Sequence, residues 1–405
     1  MSVATVADGA GTPAFVYSAS MIREQYGKLE KVLTPVPHRV HYSAKANSNH
    51  SILALLHSLG AGVDIVSGGE LFRATRAGFA GRDIVFSGVG KTEAELRDAL
   101  IAGVLLINVE SEGELRMLAR IAQEAAVIAP VALRINPEVV VETPHHYTRT
   151  GERGNKFGIP LDDALDVARL ALSMPHLSLA GLDMHIGSQV ERLDPYREGM
   201  LRLLELNETL KAEGAVDIRY LDIGGGLAVT YEDEQPTDLE AYAASILPDI
   251  AACGLTLIVE PGRFIVGNAG ALVTRVLYRK RSGGREYVIV DAGMTELLRP
   301  SHYNAYHRIE VADAGGSAHV VDIVGPVCES GDFFALDREL PSVEVGDLLI
   351  VHSAGAYGSA MSSTYNSRPR VAEVLVDGDR FAVIREREQY EDLVRHEPPI
   401  PSWRT

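Results

Sequence analysis

Short apolar runs alternate with longer amphipathic segments between about residue 38 and residue 263. The runs are nearly continuous in apolar residues, which is typical of parallel strands buried on both faces, and the intervening segments have helical spacing. The runs are HRVHYSA (38–44), GVDIV (62–66), DIVFS (83–87), VLLINV (104–109), VALRI (131–135), LAGLDMHI (179–186), IRYLDI (218–223) and LTLIVE (255–260). Eight such units predict a (β/α)8 barrel, with an open doubly wound sheet as the alternative.

The pattern changes after about residue 270, where strand-like runs follow one another without regular helices. Glycine-containing turns such as SGG, AGG and DGD separate these runs, which indicates antiparallel strands. The predicted fold class is therefore α/β, with a (β/α)8 barrel followed by an antiparallel β domain. We place the barrel at residues 23–270 and the β domain at 271–405, and we expect residues 1–22 to pack with the β domain through the PAFVYS run.

Composition and charge narrow the classes of function. The chain has 405 residues and a formal net charge of -17, which disfavours nucleic acid and anionic membranes as partners. There is no signal-like N-terminus and no apolar run of the ~18 residues that a membrane span needs, so we expect a cytoplasmic protein.

Neither a disulfide framework nor a metal site is expected. The chain contains two cysteines, Cys253 and Cys328, which is too few for a disulfide scaffold. The histidine pairs His145–His146 and His302/His307 lack accompanying cysteines or carboxylates at the spacing of a zinc site.

Polar residues and glycines stand at or just beyond the C-terminal ends of the predicted barrel strands. This is the end of a barrel at which functional groups gather. These residues are Lys45, Asp64, Arg134, His185, Ser188, Gly225, Gly226, Glu260, Gly262 and Arg263. The sequence therefore predicts that they share one rim.

Each of these groups has a functional and a structural interpretation. Desolvation would make Lys45 nucleophilic, although an ion pair with Asp64 or Glu70 is the alternative. Glycines at 224–226 and 262 let backbone N–H groups approach a phosphate, although triple glycines also form plain turns. His185 is equally compatible with a place in the core. One ligand would use the amine, the glycines and the Glu260 carboxylate together, namely pyridoxal phosphate, through its aldehyde, phosphate and ring nitrogen.

Nine stretches of the chain are similar, in order, to the fold-type III pyridoxal-phosphate-dependent decarboxylases, and within them to the branch that acts on diaminopimelate. The similarity covers about residues 13–385. The stretches are HYSAKANSN (41–49), GVDIVSGGEL (62–71), HHYTRTGERGNKFGI (145–159), HIGSQV (185–190), DIGGGL (222–227), EPGRFIVGNAG (260–270), DAGMTELLRPSHYNAYH (291–307), CESGD (328–332) and GAYGSAMSSTYNSRPR (355–370). Only the VETPHHYT segment (141–148) departs from the usual spacing of this family.

The resemblance implies a role for each matching residue. Lys45 would bind the cofactor aldehyde, His185 would stack on the ring and Glu260 would pair with the ring nitrogen. Asp64 and Arg134 are assigned to the same cofactor site. The phosphate would be bound by Ser188, Gly225, Gly226, Gly262, Arg263 and Tyr357. Cys328 would return a proton to the substrate, and together with Glu329 it would come from the other subunit of a homodimer.

The resemblance also implies the substrate. Arg263, Arg299 and Tyr303 stand where the family binds a distal carboxylate, and Glu329 and Tyr357 complete the expected substrate contacts. We therefore expect decarboxylation of meso-2,6-diaminopimelate to L-lysine and carbon dioxide, the last step of lysine biosynthesis. The alternatives are a related decarboxylase acting on ornithine, lysine or a modified or carrier-bound amino acid, a racemase, and a non-catalytic regulator.

Overall fold

The structure is a computed structural model that describes residues 1–405 except 142, 215–217, 314, 401, 402, 404 and 405. The side chain of residue 146, one of the histidines considered above, also lies outside the described part. The chain divides into two units. Unit 1 comprises Met1–Met21, Tyr231–Asp233 and Val266–Thr405, and unit 2 comprises Ile22–Thr230 and Glu234–Ile265. No helix among the described residues is long and apolar enough to cross a membrane.

Unit 2 is a closed barrel of eight parallel strands. Its strands run in the order β5-β4-β3-β2-β10-β9-β8-β6, and β5 pairs with β6 to close the ring. A ninth strand, β7, adds to β6 outside the ring. The strands are β2 (His38–Ser43), β3 (Gly62–Ile65), β4 (Ile84–Phe86), β5 (Leu106–Val109), β6 (Ala129–Asn136), β7 (Ile159–Pro160), β8 (Leu177–Asp183), β9 (Tyr220–Asp222) and β10 (Thr256–Val259). Closure through β5 and β6 excludes the open-sheet alternative.

The helices of the barrel follow its strands, and side-chain caps fix where several of them begin. Asn49, Ser67, Thr92, Ser111 and Asp238 each accept a backbone N–H in the first turn, which satisfies a donor that the helix itself cannot pair. The helices are α2 (Ala19–Leu33), α3 (His50–Ser58), α4 (Gly68–Arg76), α5 (Glu93–Ala102), α6 (Glu112–Glu124), α7 (Leu161–Ser173), α8 (Asp194–Ala212), α9 (Leu239–Cys253) and α10 (Arg263–Val266).

The barrel core explains the near-continuous apolar runs of the sequence. Val85, Leu106, Ala132, Ala180 and Ile258 come from five different strands and form one fully buried cluster. A strand that faces this core on one side and the helical layer on the other has no wet face, so both of its faces are apolar.

Unit 1 is built on a second sheet, in the order β15-β14-β12-β11-β1-β17-β18, with β16 joining β13 to β11. Most pairings are antiparallel, while β1–β17 and β12–β14 are parallel. The strands are β1 (Ala14–Ser18), β11 (Gly270–Ser282), β12 (Arg285–Val290), β13 (Ile309–Val311), β14 (Ala318–Val324), β15 (Phe333–Pro341), β16 (Leu348–Val351), β17 (Ala372–Asp377) and β18 (Arg380–Arg385). The predicted fold class, a barrel followed by a largely antiparallel β unit, is confirmed.

The N-terminal run PAFVYS contributes β1 to this second sheet. Ala14 lies opposite Val273 of β11 on one side and opposite Ala372 of β17 on the other. Three short helices also belong to unit 1: α1 (Val3–Ala10), α11 (Arg299–Tyr303) and α12 (Tyr390–Val394).

Candidate active site

The sequence-predicted residues of the barrel unit occupy the C-terminal ends of its strands. Lys45 lies in a 3-10 turn, Ala44–Ala46, directly after β2, and Asp64 is on β3. The others lie on β6 or follow β8, β9 and β10, and they are Arg134, His185, Ser188, Gly225, Gly226, Glu260, Gly262 and Arg263. The barrel therefore presents all of them at the end that carries chemistry in this fold.

Lys45 is held by a buried acid. Its Nζ donates to Oδ2 of Asp64 at 3.0 Å, and Ser43 Oγ donates to the same oxygen at 2.6 Å. The Asp64 side chain is fully buried, whereas 34% of the Lys45 side chain is exposed. The structural ion pair considered from the sequence is therefore present, and the lysine remains accessible from the rim.

His185 is oriented by the glycine loop that follows β9. The Gly225 N–H donates to His185 Nδ1 at 3.2 Å. Burial, and then the positive charges of Lys45 and Arg134, hold the pKa of His185 well below its usual value of 6.5. The ring is therefore neutral, and since Nδ1 accepts, its proton is on Nε2. The backbone N–H of Gly225 was predicted to donate a hydrogen bond to the phosphate. In the structure it donates to the imidazole of His185.

The glycines at the rim are required by close backbone packing. A Cβ on Gly225 would lie 2.1 Å from the carbonyl oxygen of Glu260, and Gly226 has a φ of 96°. A Cβ on Gly262 would lie 3.0 Å from that of Ala46, next to the lysine. Side chains at these positions would push the loops after β9 and β10 apart, so the glycines keep a backbone-lined concavity.

Arg263 adds a positive charge beside this concavity. Its Nη2 donates to Ser188 Oγ at 3.1 Å, which joins the loop after β8 to the start of α10. A guanidinium and a hydroxyl beside a glycine-lined loop are groups that bind phosphate oxygens well.

Three carboxyl groups meet at the strand ends below the rim. Asp183, Asp222 and Glu260 each place one carboxylate oxygen within 4.8 Å of an oxygen of the other two. Ser87 Oγ donates to Glu260 Oε1 at 3.3 Å, and Asn108 Nδ2 donates to Ser87 Oγ at 3.2 Å. Glu260 is 5% exposed, so a cationic ring placed against it would meet a carboxylate with little competing water.

Burial raises the pKa of all three acids, and the charge of Asp222 raises the pKa of Asp183 and of Glu260 further. For Glu260 burial is the main cause, followed by the charge of Asp222, and the pKa lies well above its usual value. For Asp183 the order of causes is the same, and Asp222 reaches a pKa of about 6 chiefly through burial. The group as a whole therefore resists carrying three negative charges.

A fourth acid, Glu110, ties several loops to Arg134. Its Oε1 accepts from Arg134 Nη1 at 2.9 Å and from the Gly88 N–H at 3.0 Å, and its Oε2 accepts from the Gly158 N–H at 3.0 Å. Arg134 also lies over the ring of Phe157, 5.2 Å from its centroid. Arg134 is thus locked in place as a fixed positive charge at the strand ends.

Five polar residues at the strand ends were not predicted as site residues, namely Ser87, Asn108, Glu110, Asp183 and Asp222. A signal for them existed, because Ser87 and Glu110 directly follow β4 and β5, and Asp183 and Asp222 are the last residues of β8 and β9. Applying the strand-end rule to every polar residue would have included them.

In unit 1, Arg299 forms a compact polar cluster. It is buried, its Nη1 donates to the hydroxyl of Tyr231 at 2.6 Å, and its guanidinium lies 4.5 Å from the centroid of the same ring. His307 meets the edge of the Tyr231 ring, with 5.3 Å between centroids. Arg299 begins the short helix that ends at Tyr303, so the two predicted substrate residues are one turn apart.

The other predicted residues of unit 1 lie in its loops. Cys328 and Glu329 are exposed, and the Cys328 N–H donates to Asn366 Oδ1 at 2.7 Å. Tyr357 is partly exposed and has a φ of 57°, a left-handed conformation that non-glycine residues seldom adopt. Such strain is most often retained where a side chain has to be aimed.

The donor set of the barrel rim fits pyridoxal phosphate. An accessible amine can bind its aldehyde, a neutral imidazole offers a flat face, and a buried carboxyl group suits a protonated ring nitrogen. Gly226 and Gly262 carry no side chain that would cover their backbone N–H groups, which suits contacts with phosphate oxygens.

Comparison with known proteins gives the family. The profile of the pyridoxal-dependent decarboxylases, pyridoxal-binding domain, matches residues 19–267. Diaminopimelate decarboxylase of Vibrio cholerae is 47% identical over 401 residues, covering 98% of this chain and 95% of that protein. Diaminopimelate decarboxylase of Aquifex aeolicus is 45% identical, covering 97% and 93%.

Solved structures agree with these relatives. Helicobacter pylori diaminopimelate decarboxylase complexed with L-lysine superimposes with a TM-score of 0.94 at 41% identity, covering 97% of this chain and 98% of the other. The predicted decarboxylase family and its pyridoxal cofactor are thereby confirmed. The chain belongs to the pyridoxal-dependent decarboxylase family.

Proposed function

We propose that this protein decarboxylates meso-2,6-diaminopimelate to L-lysine and carbon dioxide, with pyridoxal phosphate bound through Lys45. The observation that carries the proposal is the placement of Lys45, beside buried Asp64, on the same barrel end as His185, the glycine concavity and Glu260. Relatives that are 42–47% identical over nearly the whole chain are diaminopimelate decarboxylases, which supports this prediction over its alternatives.

The barrel residues are assigned as follows. Lys45 binds the aldehyde, His185 presents its neutral ring to the cofactor ring, and Glu260 faces the ring nitrogen. The phosphate is bound beside Ser188, Gly226, Gly262 and Arg263, with Gly225 shaping the loop. When bound, the cofactor draws the electron pair left by departing carbon dioxide into its protonated ring.

The remaining charged groups of the barrel act on these residues. Asp64 holds the Lys45 amine at the rim before the aldehyde arrives, through its 3.0 Å contact. Burial chiefly lowers the pKa of His185, and the charges of Lys45 and of Arg134, which Glu110 fixes, lower it further. A neutral imidazole can lie flat against the cofactor ring without repelling a protonated ring nitrogen.

The residues of unit 1 are assigned to the substrate. Arg299 and Tyr303, with Arg263 of the barrel, bind the distal carboxylate, and Arg299 is already oriented by Tyr231 at 2.6 Å. A fixed guanidinium loses little freedom on binding a carboxylate. Tyr357 reaches both the phosphate and the substrate.

Cys328 and Glu329 are assigned to a site shared between two subunits of a homodimer. Both are exposed in the single chain, which suits residues that complete a neighbour's site. Cys328 returns a proton to the substrate carbon and Glu329 binds the distal ammonium group. The homodimer and a cytoplasmic location stay predictions.

A lysine/ornithine decarboxylase is the main alternative. That enzyme from Vibrio vulnificus, complexed with putrescine, shares the fold with a TM-score of 0.82 at 24% identity. Such a substrate has no distal carboxylate, and its distal ammonium group would be repelled by a guanidinium in the pocket. Arg299, which is 7% exposed, therefore favours diaminopimelate.

The test is carbon dioxide release by the cofactor-loaded protein offered meso-diaminopimelate, L-lysine and L-ornithine in parallel. We expect release from diaminopimelate alone, with L-lysine as product, and no release by Lys45→Ala. Release from lysine or ornithine instead would overturn the substrate, and turnover by Lys45→Ala would overturn the role of the lysine.

A further inference from the structure

Two acids beside Glu260 each have a buried oxygen without a donor. Asp183 Oδ1 and Asp222 Oδ2 are inaccessible to solvent and accept no hydrogen bond from the described residues. The other oxygen of Asp222 accepts the Gly224 N–H at 2.9 Å. An ionised carboxylate oxygen that is buried without a hydrogen-bond donor costs folding free energy. Each of these two oxygens therefore requires a proton or a donor.

The charges that face these acids do not balance if every group is ionised. Carboxyl groups approach from β3, β5, β8, β9 and β10, namely Asp64, Glu110, Asp183, Asp222 and Glu260. The facing cations are Lys45, committed to Asp64 at 3.0 Å, and Arg134, committed to Glu110 at 2.9 Å. Arg134 Nε lies 3.9 Å from Asp183 Oδ2, which is beyond a strong hydrogen bond.

A proton is the smallest group that resolves both problems. Shared between two of these carboxyl groups, which each place an oxygen within 4.8 Å of the other, it removes one negative charge and supplies a hydrogen-bond donor. Two buried carboxyl groups this close repel each other when both are ionised, so they titrate as a pair.

We propose that Asp183 and Asp222 share one proton at neutral pH, so that the three carboxyl groups carry two negative charges instead of three and Glu260 keeps its own charge for the ring nitrogen. Asp183 and Asp222 are then positioning residues that act through Glu260. The role of Glu260 toward the ring nitrogen rests on the proposed function. The shared proton is a property of the barrel itself.

The test is the infrared spectrum of the cofactor-loaded protein near pH 7.5. A protonated carboxylic acid has a carbonyl stretch distinct from that of a carboxylate, and nearly all exposed acids are ionised at this pH. Glu70, Glu296 and Asp332 also have raised pKa values, so variants must assign the band. The variants are Asp222→Asn and Asp183→Asn, with Asp98→Asn on exposed α5 as the matched control.

We expect the acid band of the wild-type protein to be retained in Asp98→Asn and to lose intensity in Asp222→Asn and in Asp183→Asn. Because each neutral amide replaces one partner of the pair, either variant suffices if the other fails to fold. An acid band of equal intensity in all four proteins would overturn the proposal. So would a tightly bound cation, found by metal analysis, in a protein without the band.

A second readout follows from proton linkage. Raised carboxyl pKa values add stability that is complete at acid pH and is lost as the pH rises through the folded value. For Asp222 this value is about 6, whereas the pKa of Asp183 lies well above its usual value, so the pair loses one proton near pH 6 and keeps the shared one at pH 7.5. The Tm of Asp222→Asn relative to wild type should therefore increase between pH 5 and pH 8. A difference that stays constant with pH would contradict the shared proton. Both readouts report on the protein's own carboxyl groups, so failure of the cofactor assignment would leave them interpretable.

Discussion

Replacement of Gly225 by alanine tests the glycine-lined concavity most sharply. The new Cβ would lie 2.1 Å from the Glu260 carbonyl oxygen and 3.0 Å from its carbonyl carbon. Both are backbone atoms, so the loop after β9 must move by about 1 Å to pass 3.0 Å. Overpacking of this kind costs about 1–3 kcal/mol. The same 1–3 kcal/mol lost from the cofactor contacts would lower the affinity by roughly 5- to 150-fold.

The assay is a titration of the protein with pyridoxal phosphate followed by absorbance, together with urea unfolding. Gly27→Ala is the matched control, because Gly27 lies in exposed α2 and its Cβ would meet nothing within 4 Å. That variant should bind the cofactor normally and gain up to about 1 kcal/mol of stability. A Gly225→Ala protein with wild-type affinity and stability would show that the contact with the Glu260 backbone does not require glycine at position 225.

Three further changes test individual contacts. Tyr231→Phe keeps the ring under Arg299 and removes the 2.6 Å hydrogen bond. It should raise KM for diaminopimelate about tenfold with little change in kcat. An unchanged KM in steady-state assays would contradict the assignment of Arg299 to the distal carboxylate. Glu70 has a pKa raised to about 7 by burial, so up to about 3 kcal/mol of stability present below pH ~4.3 is lost as the pH rises to ~7. Glu70→Gln should make the free energy of unfolding, measured with urea, depend less on pH. An unchanged pH dependence would exclude this contribution of Glu70. Ser188→Ala removes the 3.1 Å contact of Arg263 and should weaken cofactor binding by roughly two- to tenfold in the absorbance titration, whereas full affinity would remove Ser188 from the phosphate site.

The periodicity of the sequence was sufficient to predict the barrel. The strands are buried on both faces, as Val85 and Leu106 illustrate, so the apolar pattern identified the parallel strands, although it left an open doubly wound sheet as the alternative to the closed ring. The pattern after residue 270 was less informative, because parallel and antiparallel strands have the same side-chain alternation. The parallel pairings β1–β17 and β12–β14 depend on how distant segments meet, which no local signal specifies.

The same limit applies to the candidate site. Lys45 and Glu260 were predictable because strand ends place them on one rim. The hydrogen bond from Gly225 to His185, and the convergence of Asp183 and Asp222 on Glu260, depend on the register between β8, β9 and β10. Register is a property of the closed sheet and cannot be obtained from any one run.

The proposed function depends above all on Lys45, which we propose carries pyridoxal phosphate at the barrel rim. Its most direct test is reduction of the cofactor-loaded protein with borohydride, followed by protease digestion and mass mapping of the labelled peptide. We expect the pyridoxyl group on Lys45, in the HYSAKANSN stretch, and no label after Lys45→Ala. Label on another lysine, or undiminished labelling of the Lys45→Ala protein, would contradict it.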